Sequence, residues 1–137
     1  MKTIVLGYDE TPSAERALER TAELAKAFGS SVIVTSVAHV APSGPRGAGP
    51  IDPTDPPERH REQLEHAKGK LSALGIDADA VTGFGEPAKA IAELADERQA
   101  DLIVVGTREL GFFERMLGQS VSESVAHRVH CDVLLVH

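Results

Sequence analysis

Five short apolar stretches punctuate the chain: Thr3 to Asp9 (TIVLGYD), Ser31 to Ala38 (SVIVTSVA), Ile76 to Gly85 (IDADAVTGFG), Ala100 to Thr107 (ADLIVVGT) and Cys131 to His137 (CDVLLVH). Ile76 to Gly85 alternates apolar and polar residues; the others are nearly continuous and read as buried strands. Between them the hydrophobic period becomes helical. Thr11 is an N-cap with Pro12 at the first helical position, and Ala14, Ala17, Leu18, Thr21, Ala22, Ala25 and Phe28 recur at helical spacing until Gly29. A charged helix from Glu58 carries Leu64, Ala67, Leu71 and Leu74 on one stripe and ends at Gly75. A third from Pro87 turns Ala88, Ile91, Leu94 and Ala95 inward, and a short helix is expected from about Ser120 to Arg128. Buried strands alternating with helices require parallel pairing and right-handed crossovers. The expected fold is α/β: a single open five-stranded parallel sheet with helices on both faces. Ala100 to Thr107, the most hydrophobic run, is expected at its centre.

At 137 residues the chain is long enough for one core, so residues 1–137 read as one domain. Its one break in pattern, Ala41 to Pro57 (APSGPRGAGPIDPTDPP), holds too many prolines and glycines for regular structure and reads as a long mobile loop or lid. A net charge of -7 argues against nucleic acid or an anionic membrane as principal partner, because both need clustered Lys and Arg. One cysteine excludes an internal disulfide, and no apolar run approaches the roughly 20 residues of a membrane span. Met1 leads straight into a strand pattern without a signal-peptide core, so the expected location is cytoplasmic.

Open parallel sheets bind ligands beyond the carboxyl ends of their strands, where the strand order reverses. The loops after Val5, Val37 and Val105 share that rim. The last, VGTRELGFFERMLGQSVSE (Val105 to Glu123), contains Ser120 and Glu123 as S-x-x-E, a capping box, while Gly106, Gly111 and Gly118 turn the chain. Read plainly, it is a helix cap. The same atoms also make an anion site, since a glycine-rich approach to a helix N-terminus presents free N–H groups and a partial positive charge. Phosphate is the anion expected there, and Arg108 adds a charge-assisted contact if it points inward.

Three stretches, IVLGYDETPSAERAL, GEPAKAIAELADERQADLIVVGTRELG and LGQSVSESVAHRVHCDVLLVH, together resemble the universal stress protein family over nearly the whole chain except the Pro/Gly-rich loop. The resemblance implies an adenine nucleotide α-hydrolase-like fold that dimerises, often through the last strand. Its members divide into ATP-binding and non-ATP-binding types. The binding type carries G-x2-G-x9-G-[ST]; here the register reads Gly106, Glu109 for the second glycine, Gln119 for the third, then Ser120. The implied nucleotide contacts are Gly7, Asp9 and Val37 around base and ribose, and Gly106, Arg108, Gly118, Gln119, Ser120, Val121 and Ser122 around the phosphates. An ionised Asp accepts from sugar hydroxyls or an adenine amino group, and backbone N–H and C=O read the base edge. Without a ligand, Asp9 reads as a turn residue bonding its own backbone. Glu10 stands where the family usually has glycine and is expected outside the pocket.

Glu109 is the departure with consequences. A carboxylate about 4 Å from a phosphate charge is repelled by about 1 kcal/mol in water and about 4 at an effective dielectric of 20. Glu109 therefore reads as a solvent-facing residue, as a charge that disfavours the triphosphate, or as a ligand bridging to the phosphates through Mg²⁺. The functional expectation is a homodimeric adenine-nucleotide (ATP)-binding regulator or sensor of stress. The alternatives are a nucleotide-independent module for protein partners, or a member preferring AMP or cyclic AMP. No P-loop signature is present and no general base is identifiable, so any ATP hydrolysis is expected to be slow. His127, His130 and Cys131 lie close in sequence, but a strand starting at Cys131 directs them apart, which argues against a metal site. His60 and His66, in the charged helix, read as solvated.

Overall fold

The computed structural model describes residues 1–38, 56–107 and 129–137. Its elements are β1 (Thr3–Gly7), α1 (Pro12–Phe28), β2 (Ser31–Ala38), α2 (Pro57–Ala73), β3 (Ala78–Phe84), α3 (Pro87–Glu97), β4 (Leu102–Gly106) and β5 (Asp132–Val136). All five strands are parallel, in the order β3-β2-β1-β4-β5. The centre is thus β1, whereas the sequence pointed to β4. All five residues of β4 are buried, yet it lies one strand away. Hydrophobicity reports cover on both faces, which β1 and β4 share; their order depends on the crossovers.

Local signals account for the helices. Thr11 is extended and its hydroxyl accepts from Ala14 N at 3.3 Å, Pro12 needs no partner for its nitrogen, and Gly29 closes α1 in the left-handed region at φ +65°. Glu86 caps α3 by accepting from Lys89 N at 3.0 Å. The expected stripes are buried, with two exceptions at helix ends. Phe28 is 58% exposed and Leu74 38%: each falls at the last turn, where the helical period continues past the layer that covers the stripe.

Side-chain alternation along the strands makes two cores. Ile4, Leu6, Val32, Val34 and Val104 face α1 and α2, meeting Leu18, Leu64 and Leu71. Val5, Ile33, Ile103 and Val105 face α3, meeting Ala88, Ile91 and Leu94. Strand β3 is shorter than the expected run, because Ile76 still belongs to the turn that closes α2, donating its N–H to Leu71 O at 2.8 Å.

Among the described residues two that are not glycine lie in the left-handed region, Gln99 at φ +53° and Glu10. Glu10, in the turn between β1 and α1, has φ +63°, a region that costs a residue with a Cβ roughly 1–2 kcal/mol.

Candidate functional site

The strand order reverses at β1. From β1 the chain steps through α1 to β2 and through α2 to β3, with both helices on one face; α3 then carries it across the other face to β4, on the far side of β1. The crevice between the carboxyl ends of β1 and β4 is where such a fold binds its ligand.

Asp9 leaves β1 at this rim, half-buried. Its Oδ1 accepts from Thr11 N at 3.1 Å and from Thr11 Oγ1 at 2.6 Å, the hydrogen bonding of an Asx turn. Among the described residues Oδ2 has no hydrogen-bond partner. The turn reading and the ligand reading therefore do not exclude each other: one oxygen shapes the turn and the other takes no part in it.

Val37 lies near the carboxyl end of the neighbouring strand, β2. The β1–β2 register ends at Gly7 and Thr35, and Tyr8 N donates to Thr35 O at 2.9 Å as the last link. Backbone groups of successive residues in a strand point to opposite neighbours. Ala38 O accordingly accepts from Gly85 N, beside β3, at 2.9 Å. The N–H and C=O of Val37 are thus directed to the β1 side, one step past the end of that ladder.

Of the three glycines assigned to the site, the two among the described residues, Gly7 and Gly106, each have a packing reason. A Cβ on Gly106 would lie 2.5 Å from Ser13 Oγ, 2.7 Å from Ser13 C and 2.9 Å from Ala14 N. Glycine here lets the first turn of α1 seat against the end of β4. At Gly7 a Cβ would meet Ile91 Cδ1 and Val105 Cγ1, both at 3.0 Å. The other expected contacts, Arg108, Gly118, Gln119, Ser120, Val121 and Ser122, lie outside the described residues. So do Glu109, Gly111, Glu123, His127, the expected helix from Ser120 to Arg128, and most of the Pro/Gly-rich loop.

Below the rim is a polar cluster that the sequence reading missed. His60, expected to be solvated, is 7% exposed and lies on the buried stripe with Leu64, Ala67 and Leu71. Its Nδ1 contacts Ser36 Oγ, which donates to Gln63 Oε1 at 2.8 Å. A hydroxyl has one proton, so in this arrangement the imidazole donates from Nδ1. The cluster stitches the first turns of α2 to β2 next to Val37. The helical spacing from 60 to 64 was the available signal; the partner on another strand was not.

Tyr8, one residue before Asp9, is buried, and its hydroxyl donates to Glu15, which pairs with Lys70 of α2. Burial, followed by the charges of Glu10 and Asp9, pushes its pKa up to about 12. An unfolded tyrosine ionises near pH 10. Between these values the unfolded chain binds fewer protons than the folded one, so stability falls as pH rises from about 10 to about 12. Urea midpoints are expected to drop more steeply over that window in the native chain than in Tyr8→Phe. Equal slopes would mean that the fold does not hold the phenol neutral.

On the opposite side of the sheet from α1, Cys131 is half-buried and precedes β5 by one residue. Burial, then Asp132, Asp101 and Asp96, raise its thiol pKa, which keeps it protonated. His130 Nδ1 lies 3.1 Å from Asp96 Oδ1 of α3. No helix among the described residues is long and apolar enough to cross a membrane.

The whole chain, residues 1–137, matches the profile of the Universal stress protein family. A universal stress protein of Synechocystis is 33% identical over 135 residues, spanning 98% of this chain and 85% of its own length. One of Thermus aquaticus is 35% identical over 137 residues, spanning 98% of each. A universal stress protein solved in complex with cAMP superposes with a TM-score of 0.70 at 29% identity, covering 99% of this chain and 97% of that one. The universal stress protein from Archaeoglobus fulgidus in complex with dAMP gives 0.75 at 24% identity, covering 100% and 98%, a likeness of fold. With a parallel five-stranded sheet in the order β3-β2-β1-β4-β5 and relatives matched along its length, the chain belongs to the universal stress protein family.

Proposed function

We propose that the chain binds an adenine nucleotide in the crevice beyond β1, β2 and β4 and acts as a nucleotide-responsive regulator or sensor in stress. The observation that carries this reading is that Asp9 keeps one carboxylate oxygen outside its turn at the carboxyl end of β1, while the N–H and C=O of Val37 in the neighbouring strand lie beyond the last β1–β2 link. A carboxylate oxygen suits ribose hydroxyls, and a donor beside an acceptor suits the edge of adenine. The relative solved with cAMP, 29% identical across 99% of this chain, supports the same ligand class. Gly7 and Gly106 frame the strand ends, and Arg108, Gly118, Gln119, Ser120, Val121 and Ser122 follow as the proposed phosphate contacts.

Glu109 in place of a motif glycine favours a less charged ligand, AMP or cyclic AMP, over ATP unless Mg²⁺ bridges the carboxylate and the phosphates. Regulation would be a population shift, since a nucleotide favours the state it binds more tightly. The proposed assembly is a homodimer through β5, an edge strand with half-buried Val133, Leu134 and Leu135, in the cytoplasm.

Calorimetric titration of nucleotide-stripped protein tests the reading. AMP and cyclic AMP are expected to bind with Kd on the order of micromolar. ATP alone is expected to bind about ten-fold more weakly and to recover with Mg²⁺. Absence of heat with all four would favour the second reading, a nucleotide-independent module for protein partners, to which Glu109 and Gln119 at two motif glycines point.

A further inference from the structure

We propose that Glu10 and His66 form a positioning pair that fixes Asp9 for the nucleotide; the pair's role rests on the nucleotide site proposed above. Glu10 is the middle residue of the Asx turn in which Asp9 Oδ1 accepts from Thr11 N and Oγ1, and it holds that position with φ +63°. A glycine would adopt this conformation freely, whereas a glutamate holds it at a cost of roughly 1–2 kcal/mol that a favourable contact can offset. The contact is His66, whose Nδ1 lies 2.8 Å from Glu10 Oε2. His66 was expected to be solvated; it is half exposed, yet it ties the turn to α2.

The anchor at the other end is firm. Helix α2 is joined to β2 through Ser36, His60 and Gln63, and to α1 through Lys70 and Glu15. One helix thereby contacts the neighbours of both proposed site residues, Ser36 beside Val37 through His60 and Glu10 beside Asp9 through His66. Release of Glu10 toward its ordinary right-handed or extended conformations would rotate Thr11 N–H away from Asp9. The direction of the ligand-facing oxygen, Oδ2, would then no longer be set.

A double-mutant cycle tests the pair, with AMP as the titrated probe. His66→Ala is expected to weaken AMP binding about five-fold in the native chain, the share of the left-handed penalty that the tether offsets. In a chain carrying Glu10→Gly, where the conformation needs no tether, the same substitution is expected to change affinity by less than about two-fold. Equal losses in both backgrounds, or no loss in either, would overturn the proposal. Backbone chemical shifts of residues 9–11 without nucleotide give an independent readout. They are expected to move on His66→Ala in the native chain but not in the Glu10→Gly background. If wild-type protein fails to bind AMP, the nucleotide reading falls while these shifts still decide the tether; shifts that stay fixed on His66→Ala overturn the pair even where AMP binds.

Discussion

Gly106→Ala is expected to cost about 3 kcal/mol of folding stability, the upper end of the usual range for overpacking, and to lower Tm by roughly 10 °C. The reason lies in what the added methyl would strike. Two of its three nearest atoms, Ser13 C at 2.7 Å and Ala14 N at 2.9 Å, are backbone of the first turn of α1. That turn cannot withdraw cheaply. Pro12 fixes φ at its start, and Thr11 is engaged by both Ala14 N and Asp9 Oδ1. Gly7→Ala is the control, because its 3.0 Å contacts are the ends of Ile91 and Val105, which can rotate; a loss of about 1 kcal/mol is expected. Thermal melts within experimental error of each other for the two variants would show that α1 yields as easily as a side chain. Any displacement of α1 also carries Thr11 and the Asx turn with it, so nucleotide affinity should fall together with stability in Gly106→Ala.

What the sequence made legible was local. Thr11, Pro12 and Gly29 mark α1 because capping depends on neighbours within a few residues, and the apolar runs mark strands because parallel sheets bury both faces. Facts set by distant partners were hidden. The spacing of His60 with Leu64, Ala67 and Leu71 placed it on the buried stripe, but the charged surroundings argued for solvent until Ser36 and Gln63 appeared as its partners. Gly106 was readable as an approach to phosphate, while its contact with Ser13 and Ala14 depends on how α1 crosses β4. Phe28 and Leu74 continue their helical stripes in sequence, although the covering layer ends before them. At Glu10 the departure from glycine was visible and its left-handed conformation was not. For Asp9 the turn is present and leaves the ligand reading open, because a carboxylate has two oxygens and the turn uses one.

That division can be separated experimentally with Asp9→Asn. The amide oxygen can still accept from Thr11 N and Oγ1, so the turn and the cap of α1 survive and Tm is expected to change by no more than about 2 °C. In place of Oδ2, however, the variant presents an NH₂ group, a neutral donor where the proposed site has a charged acceptor for the ribose hydroxyls. A hydrogen bond to a charged group contributes about 1.5–3 kcal/mol, so AMP affinity is expected to fall about ten- to one-hundred-fold. Asp9→Ala loses the turn as well, and should lower stability by about 1 kcal/mol in addition to affinity. The comparison of the two variants carries the meaning. If Asp9→Asn binds AMP like the native chain while Asp9→Ala does not, Asp9 contributes only the shape of the turn. Loss in both, with stability kept in Asp9→Asn, would leave direct contact between Oδ2 and the nucleotide as the explanation, since the turn that the amide preserves would then be insufficient for binding.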